Sequence, residues 1–318
     1  MKIDAGKIKP VICIFGPTAS GKTALSLELV QQFPCEIISV DSGMIYRGMD
    51  IGTAKPTSAE RAGVPHHLID ILDPPESFSA AEFCQRANCL IEAIYQKEKL
   101  PLLVGGTMMY FRALQQGLAE LPQADEVVRT TLQEKVAIVG WPGLYSELTQ
   151  VDPLYASQIH AHDTQRIQRA LEVFYITGKP LSELVSHTQR NTNYSFINFG
   201  LFPQNRKWLH QRIAERWTLM LKQGFIEEVE QLLKTWSLTI SMPALRCVGY
   251  RQAFAYLNGD SSYADFVDKG LAATRQLAKR QLTWMRTWPD IEYIDCEKLT
   301  EFTKVIAIIK KICNDSLF

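Results

Sequence analysis

Gly16-Pro17-Thr18-Ala19-Ser20-Gly21-Lys22-Thr23 is the stretch on which the reading of this chain turns. It fills the pattern G-x-x-x-x-G-K-[ST], in which backbone amides cradle phosphate oxygens. The flanks carry the inference further than the four fixed positions do. Val11-Ile12-Cys13-Ile14-Phe15, just before it, has the length and β-branched content of a buried strand, and Ala24-Leu25-Ser26-Leu27-Glu28-Leu29-Val30, just after it, opens a helix. Strand, glycine loop and helix together aim the loop and helix N–H groups at an anion. Lys22 then reaches a phosphate, and the Thr23 hydroxyl sits on Mg²⁺. The stretch predicts an α/β fold that binds a di- or triphosphate at residues 16–23.

Working outward, Cys35–Val40 reads as a second strand, ending at Asp41-Ser42. A carboxylate at the carboxyl tip of such a strand faces the ligand crevice, so Asp41 is a turn residue, a metal-shell carboxylate or a general base. Ser79-Ala80-Ala81-Glu82 forms a capping box, and Phe83, Ala87, Leu90, Ile91 and Ile94 continue it as a helix. Leu102-Leu103-Val104 is a third strand leading into Gly105-Gly106-Thr107, where Thr107 is either a crevice residue or part of a plain turn. His66 and His67 read as structural, because neighbouring strand residues point to opposite faces. Residues 113–195 read as a helical insertion, broken at Leu121-Pro122 and Trp141-Pro142-Gly143, before Phe196–Phe202 returns to the sheet. Inside the insertion, Ile167, Ala170, Leu171 and Phe174 line one helix face, while Arg166 and Arg169 share another.

Lys+Arg and Asp+Glu both total 34, so no overall basic field marks the chain as a nucleic-acid binder. Basic character is local instead. Arg212 and Arg216 stand one helical turn apart, suited to gripping a phosphate or to pairing with Glu215 or Glu228. Arg246-Cys247-Val248-Gly249-Tyr250-Arg251 sets two arginines around a glycine and an aromatic. Lys269 to Arg286 carries Lys269, Arg275, Lys279, Arg280 and Arg286 with no acidic residue; Arg275, Lys279 and Arg286 share one helix face, and Leu277, Trp284 and Trp288 make another stripe. That face could bind RNA or coat a phosphate-rich small-molecule site. Seven cysteines without a C-x-x-C pair predict reduced thiols in a cytoplasmic protein, with Cys84 and Cys89 packing a helix. Residues 1–10 lack the apolar core of a signal peptide, and no apolar run reaches the ~20 residues of a membrane span, so no membrane partner is expected.

At the level of residue chemistry, these features describe an α/β phosphate-loop enzyme with a second, basic substrate site, which a small-metabolite kinase would satisfy equally. The wording of six blocks goes further. They are the stretch at 16–23, Asp-Ser-x-x-Ile-Tyr-Arg-Gly-Met-Asp-Ile-Gly-Thr-Ala-Lys-Pro at 41–56, Leu-Val-Gly-Gly-Thr at 103–107, Gln-Arg-x-x-Arg-Ala-Leu-Glu at 165–172, Arg-Cys-Val-Gly-Tyr-Arg-Gln at 246–252 and Thr-Arg-Gln-Leu-Ala-Lys-Arg-Gln at 274–281. In that order and spacing the chain resembles the bacterial tRNA dimethylallyltransferases, also called tRNA isopentenyltransferases. The resemblance implies a P-loop NTPase-like parallel sheet flanked by helices, with a core of residues 1–112 and 196–318 and a tRNA-contacting helical insertion at 113–195. It implies transfer of a dimethylallyl group from dimethylallyl diphosphate to N6 of the adenosine 3′-adjacent to the anticodon; Mg²⁺ is the expected cofactor, and a cytoplasmic monomer is expected. A kinase and an isopentenyltransferase of free adenine nucleotides stand as alternatives.

By the same resemblance, Asp41 is the base, Lys22 and Thr23 assist, and Arg216 joins residues Gly16 to Thr23 in holding the diphosphate. The RNA would meet Asp41, Ser42, Gly43, Met44, Thr107 and Arg129, as well as Gln165, Arg166, Ile167, Gln168 and Arg169. Further contacts implied are Arg246, Cys247, Val248, Gly249, Tyr250 and Arg251, then Lys279, Arg280, Gln281, Leu282, Thr283, Trp284, Met285 and Arg286. Many members carry Gln where this chain has Met44. The target base would be flipped into the crevice between sheet and insertion.

Overall fold

The apolar run ahead of the glycine loop is the middle of a sheet, with Val11 to Phe15 wholly shielded from solvent. The structure is a computed structural model that describes residues 9–61, 63–119, 121–186 and 193–316. In chain order, β1 (Lys9–Phe15) runs into α1 (Lys22–Gln32), β2 (Cys35–Val40), the short α2 (Ser58–Arg61), β3 (His66–His67), α3 (Ala80–Gln96), β4 (Leu100–Gly105) and α4 (Met108–Gln116). Four helices follow: α5 (Glu126–Val151), α6 (Pro153–Ala156), α7 (Thr164–Thr177) and α8 (Leu181–Ser186). The chain returns through β5 (Tyr194–Leu201), α9 (Arg206–Lys222), α10 (Phe225–Thr235), α11 (Pro243–Arg246), α12 (Tyr250–Leu257), α13 (Tyr263–Arg286), β6 (Ile291–Ile294) and α14 (Phe302–Ser316).

Among the described residues the strands form a parallel sheet in the order β3-β2-β4-β1-β5-β6. Parallel strands covered by helices are buried on both faces, which is why Val11 to Phe15 of β1 read as an unbroken apolar run, while β2 buries Glu36 and Ser39 among its apolar residues. The carboxyl ends of β1, β2 and β4 therefore stand side by side, and the loops that leave them share one crevice. At Gly105 a Cβ would stand 2.0 Å from the Val40 carbonyl oxygen, so only glycine allows β4 this close to β2.

The chain divides into two compact units, Met1–Ala113 with Thr192–Phe318 and Leu114–Asn191. The first holds two cores. Ile12, Ile14, Leu25, Leu29, Val305 and Ile309 pack α1 and α14 with the sheet, while Trp217, Phe225, Val229, Tyr250 and Phe266 join the helices from α9 to α13. The second unit closes around Leu132, Leu144, Leu148, Ile167 and Leu171. Its longest helix breaks at Gly140, whose φ of 68° and ψ of 174° are non-helical, next to Pro142. The α7 helix is capped by Asp163 and stopped by Gly178 at a φ of 70°.

Four expectations change. Sheet structure resumes at Tyr194, ahead of the predicted Phe196, because Tyr194 and Ser195 already pair with Lys9 and Pro10. Cys89 is exposed on α3 and does not pack it. The stripe that buries α13 is Phe266, Gly270, Ala278, Gln281, Leu282 and Met285, leaving Leu277 and Trp284 half-buried. Trp288 lies past the Thr287 C-cap, tilted against Phe15 with ring centroids 5.1 Å apart, so it belongs to no α13 stripe.

Candidate active site

A cavity of about 590 Å³ opens at the carboxyl ends of β1, β2 and β4, within the unit that holds the sheet. The loop after β1 supplies Thr18, Lys22 and Thr23; the loop after β2 supplies Asp41, Ser42, Gly43 and Met44; the loop after β4 supplies Gly106 and Thr107. Arg216 of α9 and the α11–α12 segment, including Arg246 and Cys247, form another wall. Thr274, Leu277, Arg280, Gln281 and Trp284, spaced as one helical stripe, present α13 to the same space.

The loop after β1 is built for an anion. Ala19 at φ 64° and Gly21 at φ 94° turn its backbone, and α1 begins with no side chain capping its free N–H groups. Such an uncapped helix start carries partial positive charge available to a phosphate. Arg212 braces the loop by donating from Nε to the Ala19 carbonyl at 2.9 Å. Lys22 Nζ donates to the Gly16 and Pro17 carbonyls at 3.0 and 2.7 Å. Burial, with repulsion from Arg216, pushes the Lys22 ammonium down to about 8, against the pull of Asp41. Arg216 is itself drawn below its ordinary range, first by burial and then by Arg212, with Asp41 opposing. One Nη of Arg216 is held by the Thr53 carbonyl at 3.1 Å. Two crowded, poorly solvated cations beside one carboxylate leave this end of the cavity electropositive.

Of its expected readings, Asp41 shows the turn role directly. Its Oδ1 accepts from Gly43 N at 2.8 Å and Met44 N at 3.3 Å, which shapes the turn, while Oδ2 takes no hydrogen bond from a described residue. Thr107 stands beside it, its Oγ1 accepting from Ser42 N at 3.0 Å. Met44 lines the cavity, and its sulfur accepts from Ser39 Oγ at 3.9 Å. The Cys247 thiol, raised to about 12 by burial and by Asp41, stays protonated. Oxygen donors, Thr23 Oγ and the Asp41 carboxyl, are the chemistry a hard divalent cation takes. Among the described residues, no group of three or more His, Cys, Asp or Glu is placed to hold a metal ion.

Several expected RNA contacts have other duties. Tyr250 is wholly buried, edge-on to Phe225 at 5.2 Å, with its hydroxyl donating to Glu228 Oε1 at 2.6 Å, so its ring is no stacking platform. Glu228 also accepts from the backbone N–H groups of Asp50, Ile51 and Gly52, a role invisible in the sequence, and is therefore no partner for Arg216. Glu215 accepts from Gln211 instead. The contiguous run 279–286 cannot face one partner on a helix: Lys279, Arg280, Thr283 and Arg286 are exposed, whereas Gln281, Leu282 and Met285 are buried. Arg246 and Arg251 are exposed, and Gly249 is buried between them.

In the other unit, Gln165 and Arg166 are exposed, with Arg166 3.4 Å from Asp163, and Gln168 meets Gln133 at 3.3 Å. Ile167 is core. Glu172, also buried, accepts from Asp125 N at 3.0 Å, Arg129 Nε at 2.9 Å and Arg169 Nη1 at 2.7 Å. Burial opposes its charge, but these donors outweigh burial and hold its carboxyl below the usual carboxylate range. Arg169 spends its second Nη on the Pro122 carbonyl at 2.7 Å, so it ties α7 to the segment ahead of α5 rather than reaching outward. Arg129 was legible from resemblance alone; no periodicity marks it.

A family model described as IPP transferase matches residues 44–288. The chain is 55% identical over 309 residues to the tRNA dimethylallyltransferase of Legionella pneumophila strain Lens, covering 97% of this chain and 99% of that one. Among solved structures it is similar to the tRNA isopentenylpyrophosphate transferase of Bacillus halodurans, at 37% identity and a TM-score of 0.70, covering 98% of this chain and 97% of the other. It is also similar, at 27% identity and a TM-score of 0.82, to a eukaryotic dimethylallyltransferase acting on tRNA, covering 96% of this chain and 80% of the other.

Proposed function

The chain belongs to the IPP transferase family with the tRNA dimethylallyltransferases, and we infer from its cavity which groups carry the transfer. It is an enzyme that transfers a dimethylallyl group to tRNA. We take the donor as dimethylallyl diphosphate and the acceptor as N6 of the adenosine 3′-adjacent to the anticodon. One observation carries this reading: an electropositive phosphate loop and a carboxylate with one oxygen that no described residue engages share a single cavity.

In the reaction the amine nitrogen attacks the first carbon of the prenyl chain. The carbon–oxygen bond breaks, and the diphosphate departs with the bonding electrons. Charge grows on that leaving group, where the loop amides, Lys22 and Arg216 meet it in a poorly solvated space. Asp41 Oδ2 takes the proton released by the amine, while Oδ1 stays tied to the turn and fixes the carboxyl's aim. A Mg²⁺ held by Thr23 and the diphosphate oxygens would supply further charge neutralisation when bound. Because an adenine amine is a weak nucleophile, gathering the reactants supplies much of the rate, up to ~7–11 kcal/mol in the most favourable cases. The exposed cations Arg275, Lys279, Arg280 and Arg286 then grip RNA phosphates. A tRNA substrate and seven free thiols favour the cytoplasm; among the described residues, no helix is long and apolar enough to cross a membrane.

Incubation with Mg²⁺, dimethylallyl diphosphate and unmodified tRNA, followed by nucleoside mass analysis, tests the reading. Prenylated adenosine in the tRNA is expected. Prenylation of AMP but not tRNA, or phosphoryl transfer from ATP to a metabolite, would overturn it.

A further inference from the structure

Gln281 occupies the middle of the α13 stripe that lines the cavity, on the same helix as the exposed cations, yet only 8% of it is exposed. Its carbonyl Oε1 accepts from Thr18 N in the phosphate loop at 2.9 Å. Its Nε2 donates to the Gly106 carbonyl at 2.9 Å. Packing there is tight: a Cβ on Gly106 would stand 2.3 Å from Gln281 Nε2, although the Gly106 backbone is not left-handed. Gly106 passes directly into Thr107, whose hydroxyl holds Ser42 N, and Ser42 follows Asp41. One buried amide thus joins the loop that receives the leaving group to the loops that aim the base.

We propose that Gln281 is a positioning residue for the transfer, setting the phosphate loop against the Asp41 turn, and not an RNA contact. The assignment rests on the function proposed above for its rate effect, but not for its effect on the loop. Displacing a reacting group by about 1 Å costs on the order of 10²-fold in rate, so a single misplaced loop is enough to be measured. An RNA contact would act differently, weakening tRNA binding and leaving the saturated rate in place.

The test compares wild type with Gln281→Met, which keeps length and approximate volume but loses both hydrogen bonds. Equilibrium tRNA binding, kcat under saturation, and calorimetric binding of magnesium pyrophosphate are measured. Expected are a kcat lowered about tenfold or more, pyrophosphate binding weakened about fivefold or more, and a tRNA Kd within about twofold of wild type. A second arm crosses Gly106→Ala with Gln281→Ser. Gly106→Ala should cost about tenfold in kcat beside Gln281 and much less beside the shorter serine, a non-additivity that general destabilisation does not produce. A weakened tRNA Kd with unchanged kcat, unchanged values throughout, or an additive cycle would each overturn the proposal. If wild type fails to prenylate tRNA, the function falls, while pyrophosphate binding still decides the role of Gln281.

Discussion

Raising the pH should disarm the phosphate loop well before an ordinary lysine would deprotonate. With the Lys22 ammonium at about 8 in the free protein, roughly nine-tenths of molecules carry its charge at pH 7 and roughly one-tenth at pH 9. A diphosphate favours the charged form, so above pH 8 binding must be accompanied by proton uptake and weakens as pH rises. The diphosphate is itself almost fully ionised by pH 7, its last ionisation lying near about 6, so it adds little to the trend. Affinity for an unreactive dimethylallyl diphosphate analogue should therefore drop about tenfold from pH 7 to pH 9, or about 1.4 kcal/mol. Calorimetry in two buffers of different ionisation enthalpy reads both the affinity and the protons taken up. The Lys22→Arg variant, charged throughout this range, should bind with a flat profile. A wild-type profile flat to pH 10, or an equal decline in Lys22→Arg, would refute the reasoning.

Asp41→Asn keeps an oxygen for the Gly43 and Met44 amides but cannot accept a proton, so kcat should fall about 10²-fold or more with tRNA affinity within about twofold. Unchanged kcat would remove Asp41 from the base role. Arg275→Gln and Lys279→Gln should each reduce the slope of log affinity against log salt for tRNA by about 1 if each meets a phosphate; an unaltered slope would return that face to solvent. Tyr250→Phe should destabilise by about 1.5–3 kcal/mol in urea unfolding, because it strips a hydrogen bond from the Glu228 carboxylate, and should leave the tRNA salt slope alone. Weaker tRNA binding at unchanged stability would instead put the ring against RNA.

The part of the site that was legible is the part whose determinants are local. The strand, glycine loop and helix at residues 11–30 signal themselves by run length, the glycine pattern and a leucine-rich helix start, and Asp41 by its place at a strand end. What escaped depends on contacts remote in sequence. Gln281 and Thr18 are 263 positions apart, and nothing in the word Lys-Arg-Gln separates a buried amide from its exposed neighbours. The α13 helix is apolar on two sides, and composition does not say which side is core and which lines the cavity. Tyr250 enters as an RNA contact through the family resemblance, and nothing in the segment around Arg246 and Arg251 shows that its ring turns inward toward Glu228. Arg129 and Arg169 became interpretable only through Glu172, a carboxylate that looks like any helix-surface acid until its burial is known.

The position of β1 in the sheet has a consequence for synthesis. One edge of β1 pairs with β4, but the other waits for β5, whose Gly200 partners Phe15. The ribosome must add about 185 residues between those partners, roughly 10–40 s at ordinary elongation rates. Over that interval the nascent amino-terminal half carries an apolar strand with an open edge, a template for misplaced pairing. The phosphate loop at its tip is unfinished for longer still, since Arg216 and Gln281 emerge later than β5. A translational pause within the segment before β5 should therefore raise the yield of aggregated chains more than the same pause after β6.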